Sequence, residues 1–177
     1  YFEHVGLANE RLRLAHAVHL DAHEEALLKR CGGHVLHCPS SNLKLGSGIA
    51  PIARYLELAV PVSLGADGAP CNNRLDGFTE LRLCALLQKA HAGPASLPAK
   101  EALRMATIGG ARALGIDDLA GTLRVGKRAD LTVVDLSGVH CLPAHDATST
   151  LVYAAQATDV RAVFVVVSLG WFRFQRR

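Results

Sequence analysis

The sequence predicts an α/β fold: a parallel sheet covered by helices, followed by a small β-rich unit. Three observations carry this reading. Short apolar runs, RLRLAHAVHL, HVLHCP and VPVSLG, the last with β-branched residues at alternate positions, recur at a spacing of roughly two dozen residues. The segments between them carry helix start and stop signals. Beyond Ile116 the composition changes, and Gly121, Gly126 and Gly138 punctuate two β-type runs, LTVVDL and VRAVFVVV.

In chain order, residues 1–6 read as the end of a helix capped by Gly6. Leu12, Leu14 and Val18 bracket the first strand, RLRLAHAVHL. Asp21 is an N-cap with Glu24 three residues on, as in a capping box, and the helix it opens stops at Gly32-Gly33. The second strand, HVLHCP, ends at Pro39 and the polar loop Ser40-Ser41-Asn42. Pro51 opens a helix through Ile52, Leu56 and Leu58, and Val60 begins the third strand. Its alternating Val60, Val62 and Leu64 run into glycines and small residues, which makes it too short for a buried helix. Residues 75–90 place Phe78, Leu81, Leu83, Leu86 and Leu87 at helical spacing. A further helix over 98–114 has Pro98 near its start and Gly115 just past its end. The two β-type runs are joined by a loop containing Pro143.

Composition narrows the function classes. Half of the 177 residues are apolar and a fifth are charged, as in a globular protein with a sizeable core. The formal charge of +3 reflects 19 basic against 16 acidic residues, and the one basic cluster is Arg173, Arg176 and Arg177, so a nucleic-acid partner has little support. Five cysteines, Cys31, Cys38, Cys71, Cys84 and Cys141, form no C-x-x-C pair, which points to reduced thiols and a cytoplasmic location. No apolar run is long enough to cross a bilayer, and the start Tyr1-Phe2-Glu3-His4 has no charged leader, so no membrane partner is expected. The missing initiator methionine suggests a chain that begins inside a longer one.

The residues that suggest chemistry stand at one end of the predicted strands. His16, His37 and Asp67 are separated by 21 and 30 residues, and each falls at the C-terminal end of a strand or just past it. In a parallel barrel those ends converge on one mouth, where the chemistry of barrel enzymes is held. Histidine binds metal or exchanges protons near neutral pH; aspartate ligates a cation and accepts a proton from water. Asp67 sits in Gly65-Ala66-Asp67-Gly68, which by itself reads equally as a tight turn. His19, His23 and His34 read as structural, and His4, His91, His140 and His145 as surface or loop residues.

Taken together, LAHAVHLDAHEEALL, HVLHCPSSNLKLGSGIAPI and VPVSLGADGAPCNNRLDGFTELRLCALLQKA resemble the last three barrel strands of the amidohydrolase superfamily. The resemblance is to its aminohydrolase branch, which includes S-adenosylhomocysteine/methylthioadenosine deaminases, guanine deaminases and triazine or N-ethylammeline chlorohydrolases. The tail, GTLRVGKRADLTVVDL with DVRAVFVVV, is similar to the β-sandwich portion of those enzymes. The implied architecture is strands six to eight of a (β/α)8 barrel over residues 1–116 and a β-sandwich portion over 117–177. Asp67 would ligate the metal, help deprotonate its water and touch the substrate, while His16 would orient that water and the attacked carbon. His37 and Asn42, with Ser40, would line or brace the substrate pocket, although Asn42 and Asn73 read equally as turn residues. The implied cofactor is one divalent zinc or iron ion. The implied reaction is hydrolytic loss of ammonia or halide from a small N-heterocyclic ring. Relatives are often dimers, so a homo-oligomer is a further expectation.

The pattern departs from the family in two ways. There is no H-x-H pair and no H-x-x-E in the sequence, so most of the family's metal ligands and its proton shuttle have no match. From Ser168 onward the sequence also leaves the family's usual Asp-Gly turn. The expectation is the C-terminal part of a metal-dependent hydrolase, inactive alone. The alternative is a catalytically incompetent partial barrel that serves as a scaffold or needs a partner chain.

Overall fold

The computed structural model describes residues 1–167 and 170–171. Three strands, β1 (Arg13–Ala15), β2 (His34–His37) and β3 (Val62–Leu64), form a parallel sheet in the order β1-β2-β3. Leu14 is level with Val35 and Ala15 with Leu36; Leu36 is level with Ser63 and His37 with Leu64. This register brings the three strand ends, and the residues that follow them, to one edge.

The first strand is shorter than its apolar pattern predicts. His16 and Ala17 take left-handed backbone angles, φ 66° and 48°, which turn the chain out of the sheet after Ala15. The buried Tyr55 hydroxyl donates to the Ala17 carbonyl at 2.6 Å and holds that turn.

Helix α1 (Ala22–Cys31) begins and ends as its local signals require. Asp21 accepts from the Glu24 N–H, Glu24 reaches back to the Asp21 N–H, and Gly32 caps the end at φ 69°. The segment expected to be a loop after β2 is instead a short helix, α2 (Pro39–Lys44). Proline suits a first helical position because its missing N–H would have no partner there. The Asn42 N–H then closes the first turn onto the Cys38 carbonyl. Helices α3 (Ile52–Glu57), α4 (Ala69–Asn72) and α5 (Gly77–Ala92) follow, α5 being capped by Asp76.

The helix expected over 98–114 is interrupted. It runs as α6 (Ala99–Arg104), a π-helical turn (Met105–Gly109) and α7 (Gly110–Leu114), ending at left-handed Gly115. The turn packs directly on β3, and a Cβ on Gly109 would lie 2.8 Å from the Val62 carbonyl oxygen. A Gly109→Ala variant should therefore lose about 1–3 kcal/mol of stability through overpacking against rigid backbone. Urea unfolding of the two proteins side by side checks this.

The core between sheet and helices includes Val35, Ile52, Tyr55, Val62, Leu81 and Cys84. Past α7, β4 (Leu131–Val134) and β5 (Val160–Phe164) pair antiparallel, with an irregularity between Val133 and Val134. A second antiparallel pair, β6 (Val166–Val167) and β7 (Gly170–Trp171), follows. The connection read as a loop contains a 3-10 turn (Val139–Cys141) and helix α8 (Ala147–Tyr153), which is capped by Asp146 and packs on α5 and α6. Val152 of α8 is fully buried in the same core as the sheet. Among the described residues no helix is long and apolar enough to cross a membrane. The basic residues Arg173, Arg176 and Arg177, and Ser168 in the divergent tail, lie outside the described residues.

Candidate active site

The loop residues after β1, α2 after β2, and the loop after β3 meet at one edge of the sheet. His16 stands just past β1, with its side chain 42% exposed. Its Nδ1 lies 2.8 Å from Oδ1 of Asn42 on α2. An amide oxygen only accepts, so Nδ1 carries the proton and Nε2 is left facing outward. Nε2 in turn lies 3.9 Å from Oδ2 of Asp67, whose side chain is 29% exposed. Residues distant in sequence and expected to meet, His16, Asn42 and Asp67, therefore do meet.

Asp67 sits in the left-handed region at φ 60°, where aspartate is tolerated better than most side chains. Both of its oxygens are engaged. The Ser41 hydroxyl donates to Oδ2 at 2.6 Å, and the Gly68 N–H donates to Oδ1 at 2.7 Å. These donors, the Ser41 hydroxyl first, hold its carboxyl below the usual aspartate range. Asp67 is thus an anion at neutral pH, oriented from two sides.

His37, the last residue of β2, is fully buried, and neither ring nitrogen has a hydrogen-bond partner among the described residues. Burial, reinforced by nearby His16, lowers its pKa to about 4, so the ring is neutral. Asn42 is also buried, and its Nδ2 lacks a partner too. Unsatisfied polar atoms in an interior are costly, and three of them cluster beneath His16 and Asp67. Ser40 presents its backbone rather than its hydroxyl: its N–H donates to Glu80 Oε2 at 3.1 Å.

Glu80, which the sequence reading passed over, ties this edge together. It is 1% exposed on α5. Its second oxygen accepts from Asn72 Nδ2 at 2.8 Å, and that same amide donates to the Ala66 carbonyl at 2.7 Å. One carboxylate thus fastens the start of α2, next to Ser41, and the loop after β3, next to Asp67. The sequence signal was available: a glutamate between Phe78 and Leu81, on the helix face that packs inward.

As a metal centre, this edge offers the Asp67 carboxylate, with His16 Nε2 beside it. The donor chemistry suits one oxygen ligand of a borderline divalent ion, and the orphaned His37 and Asn42 nitrogens suit a polar occupant. A catalytic zinc takes about three protein ligands, so this chain supplies only part of such a set.

Comparison with known proteins decides the family. The sequence profile of the amidohydrolase family matches residues 1–166. This chain belongs to the amidohydrolase family. A 5-methylthioadenosine/S-adenosylhomocysteine deaminase of Syntrophobacter fumaroxidans is 49% identical over 162 residues, covering 91% of this chain and 37% of that protein. Among solved structures, a zinc-bound adenosine deaminase from Xanthomonas campestris superimposes with a TM-score of 0.89 at 44% identity, over 92% of this chain and 37% of that one. A zinc-bound atrazine chlorohydrolase from Arthrobacter aurescens gives 0.85 at 34% identity, over 92% and 36%. This amidohydrolase chain therefore spans a little over a third of the length of the relatives it matches. The family resemblance read from the strand-end motifs holds.

Proposed function

We propose that this chain is the C-terminal portion of a metal-dependent aminohydrolase that removes ammonia, or halide, from an N-heteroaromatic ring such as an adenosine derivative, a purine or a triazine. The observation that carries the reading is the pairing of His16 Nε2 with Asp67 Oδ2 at 3.9 Å, at the strand-end edge of a parallel sheet. In this reading the sheet is strands six to eight of a (β/α)8 barrel over residues 1–116, and β4 and β5 belong to the β-sandwich portion expected over 117–177, with α8 packed back on α5 and α6. The relatives' activities, as named above, support the reaction class.

Asp67 would contribute one oxygen to a zinc or iron ion, the other ligands coming from polypeptide outside this chain. Such an ion, when bound, supplies a water whose pKa is lowered toward about 7. Asp67, held by Ser41 and Gly68, is placed to accept a proton as water attacks the ring. His16, its tautomer set by Asn42, presents Nε2 to the water and to the carbon under attack. His37 and Asn42 would form the polar floor beneath the substrate. The free cysteines fit a reducing cytoplasm, and a homo-oligomer of the complete protein is consistent with the expectation from relatives.

A second reading is a catalytically incompetent scaffold, and one observation favours it: the described residues of this edge provide one metal-binding carboxylate rather than a ligand set. One experiment separates the two. The longer protein containing this chain is incubated with 5-methylthioadenosine, adenosine, guanine and a chlorotriazine, and ammonia or chloride release is followed. Release that stops on chelation and returns with zinc supports the hydrolase. Absence of release from every substrate, with or without added zinc, supports the scaffold.

A further inference from the structure

Away from the strand-end edge, the connection between β4 and β5 brings three different metal-binding side chains together. His140 and Cys141 come from the 3-10 turn, and Asp159 from the residue immediately before β5. One ligand atom from each, the imidazole nitrogen, the Sγ and a carboxylate oxygen, lies within 4.8 Å of the other two. We propose that these three residues form a second divalent-cation site of the zinc type, separate from the site at Asp67.

The donor set is one argument. Nitrogen, sulfur and oxygen ligands at about 2.0–2.3 Å are what zinc takes, and a tetrahedral ion spaces them about 3–4 Å apart. The cluster needs to contract by about 1 Å to reach that geometry. A neutral imidazole, one thiolate and one carboxylate carry two negative charges, which a divalent ion balances. A cavity of about 340 Å³ borders the cluster, lined by His140 and Cys141 together with His145 and Asp146, and gives an ion and its water a way in.

Hydrogen bonding alone leaves part of the arrangement without a reason. His140 Nε2 bonds Asp159 Oδ2 at 2.8 Å, and the Gln156 N–H donates to that same oxygen at 2.8 Å. Both bonds fall on Oδ2 of Asp159. Neither bond needs Cys141, which is only 3% exposed and stands beside the pair. Nor does either bond need Gly138, whose φ of −62° any residue adopts. The imidazole lies so close over Gly138 that a Cβ there would come within 2.7 Å of His140 Cε1. Glycine at this position makes room for the ring rather than for a turn. On binding, the thiol proton passes to solvent and the S–H is replaced by a metal–sulfur bond.

The test is cobalt titration of the full chain, stripped of metal and kept reduced. The expected result is one equivalent bound with a thiolate-to-cobalt charge-transfer band in the near ultraviolet. Cys141→Ser should remove that band, and Asp67→Asn should leave it in place. Gly138→Ala, which removes no donor but displaces the His140 ring, should weaken binding by about ten- to a hundredfold. Circular dichroism establishes that each variant is folded. Should Cys141→Ser fail to fold, Gly138→Ala and Asp67→Asn carry the test. A chain that shows no such band, a band that survives Cys141→Ser, or one lost with Asp67→Asn overturns the proposal.

Discussion

Replacing Asp67 with asparagine is expected to lower kcat/KM by about 10²–10⁴-fold in the catalytically complete protein, the range general-base groups contribute. The substitution keeps the size of the side chain. The Ser41 hydroxyl can accept as well as donate, so one of the two hydrogen bonds survives with its direction reversed. The fold therefore has little to lose, and the melting temperature should stay near that of the parent. What disappears is the anion that Ser41 and Gly68 hold in its ionised form. Bound zinc should fall in parallel, because a neutral amide is a poorer ligand than a carboxylate. Turnover and zinc content both unchanged in Asp67→Asn would remove Asp67 from the chemistry.

Acid should destabilise this chain earlier than carboxylate protonation alone would. His37 is fully buried and its pKa falls from 6.5 to about 4. The folded state holds the ring neutral, whereas the unfolded chain protonates it below about 6.5. Stability is therefore complete above that pH and declines as pH drops toward 4, by about 3 kcal/mol for His37. His34, also lowered to about 4 by burial and then by Arg13 and Arg112, pushes the same way. The aspartates with depressed pKa values, Asp67, Asp135, Asp146 and Asp159, act at lower pH, so the two windows separate. Urea midpoints measured between pH 7.5 and 4 should fall steadily, and less in a folded His37→Leu variant. A flat midpoint across that interval would show that His37 titrates normally.

Local signals explain what could be read in advance. The Asp21 and Glu24 box and left-handed Gly32 depend on neighbours within a few residues, and each appears as its residue types require. Features fixed by distant contacts were hidden. The first strand continues its apolar pattern to Leu20, but the turn at His16 and Ala17 is held by Tyr55, 38 residues away. Ser40-Ser41-Asn42 has the composition of a turn, yet it is helical with its Ser40 N–H fastened to Glu80, 40 residues on. The π-helical turn sets Gly109 against β3, a contact that no neighbour in sequence announces, and α8 begins with Ala-Thr-Ser-Thr, which masks the buried Val152. The site shows the same division. His16 and Asp67 are visible as polar groups at strand ends. Glu80 is marked in the sequence by its inward helix face, but its partners at Ser40 and Asn72, and the role of Ser41, become visible only when the loops they join are side by side.

The single carboxylate at Glu80 acts as a shared anchor bolt for two neighbouring segments. Its two oxygens reach different pieces of chain, the Ser40 N–H beside Ser41 and the Asn72 amide that also holds the Ala66 carbonyl beside Asp67. Losing that carboxylate would therefore release both segments together and loosen the Ser41–Asp67 bond between them.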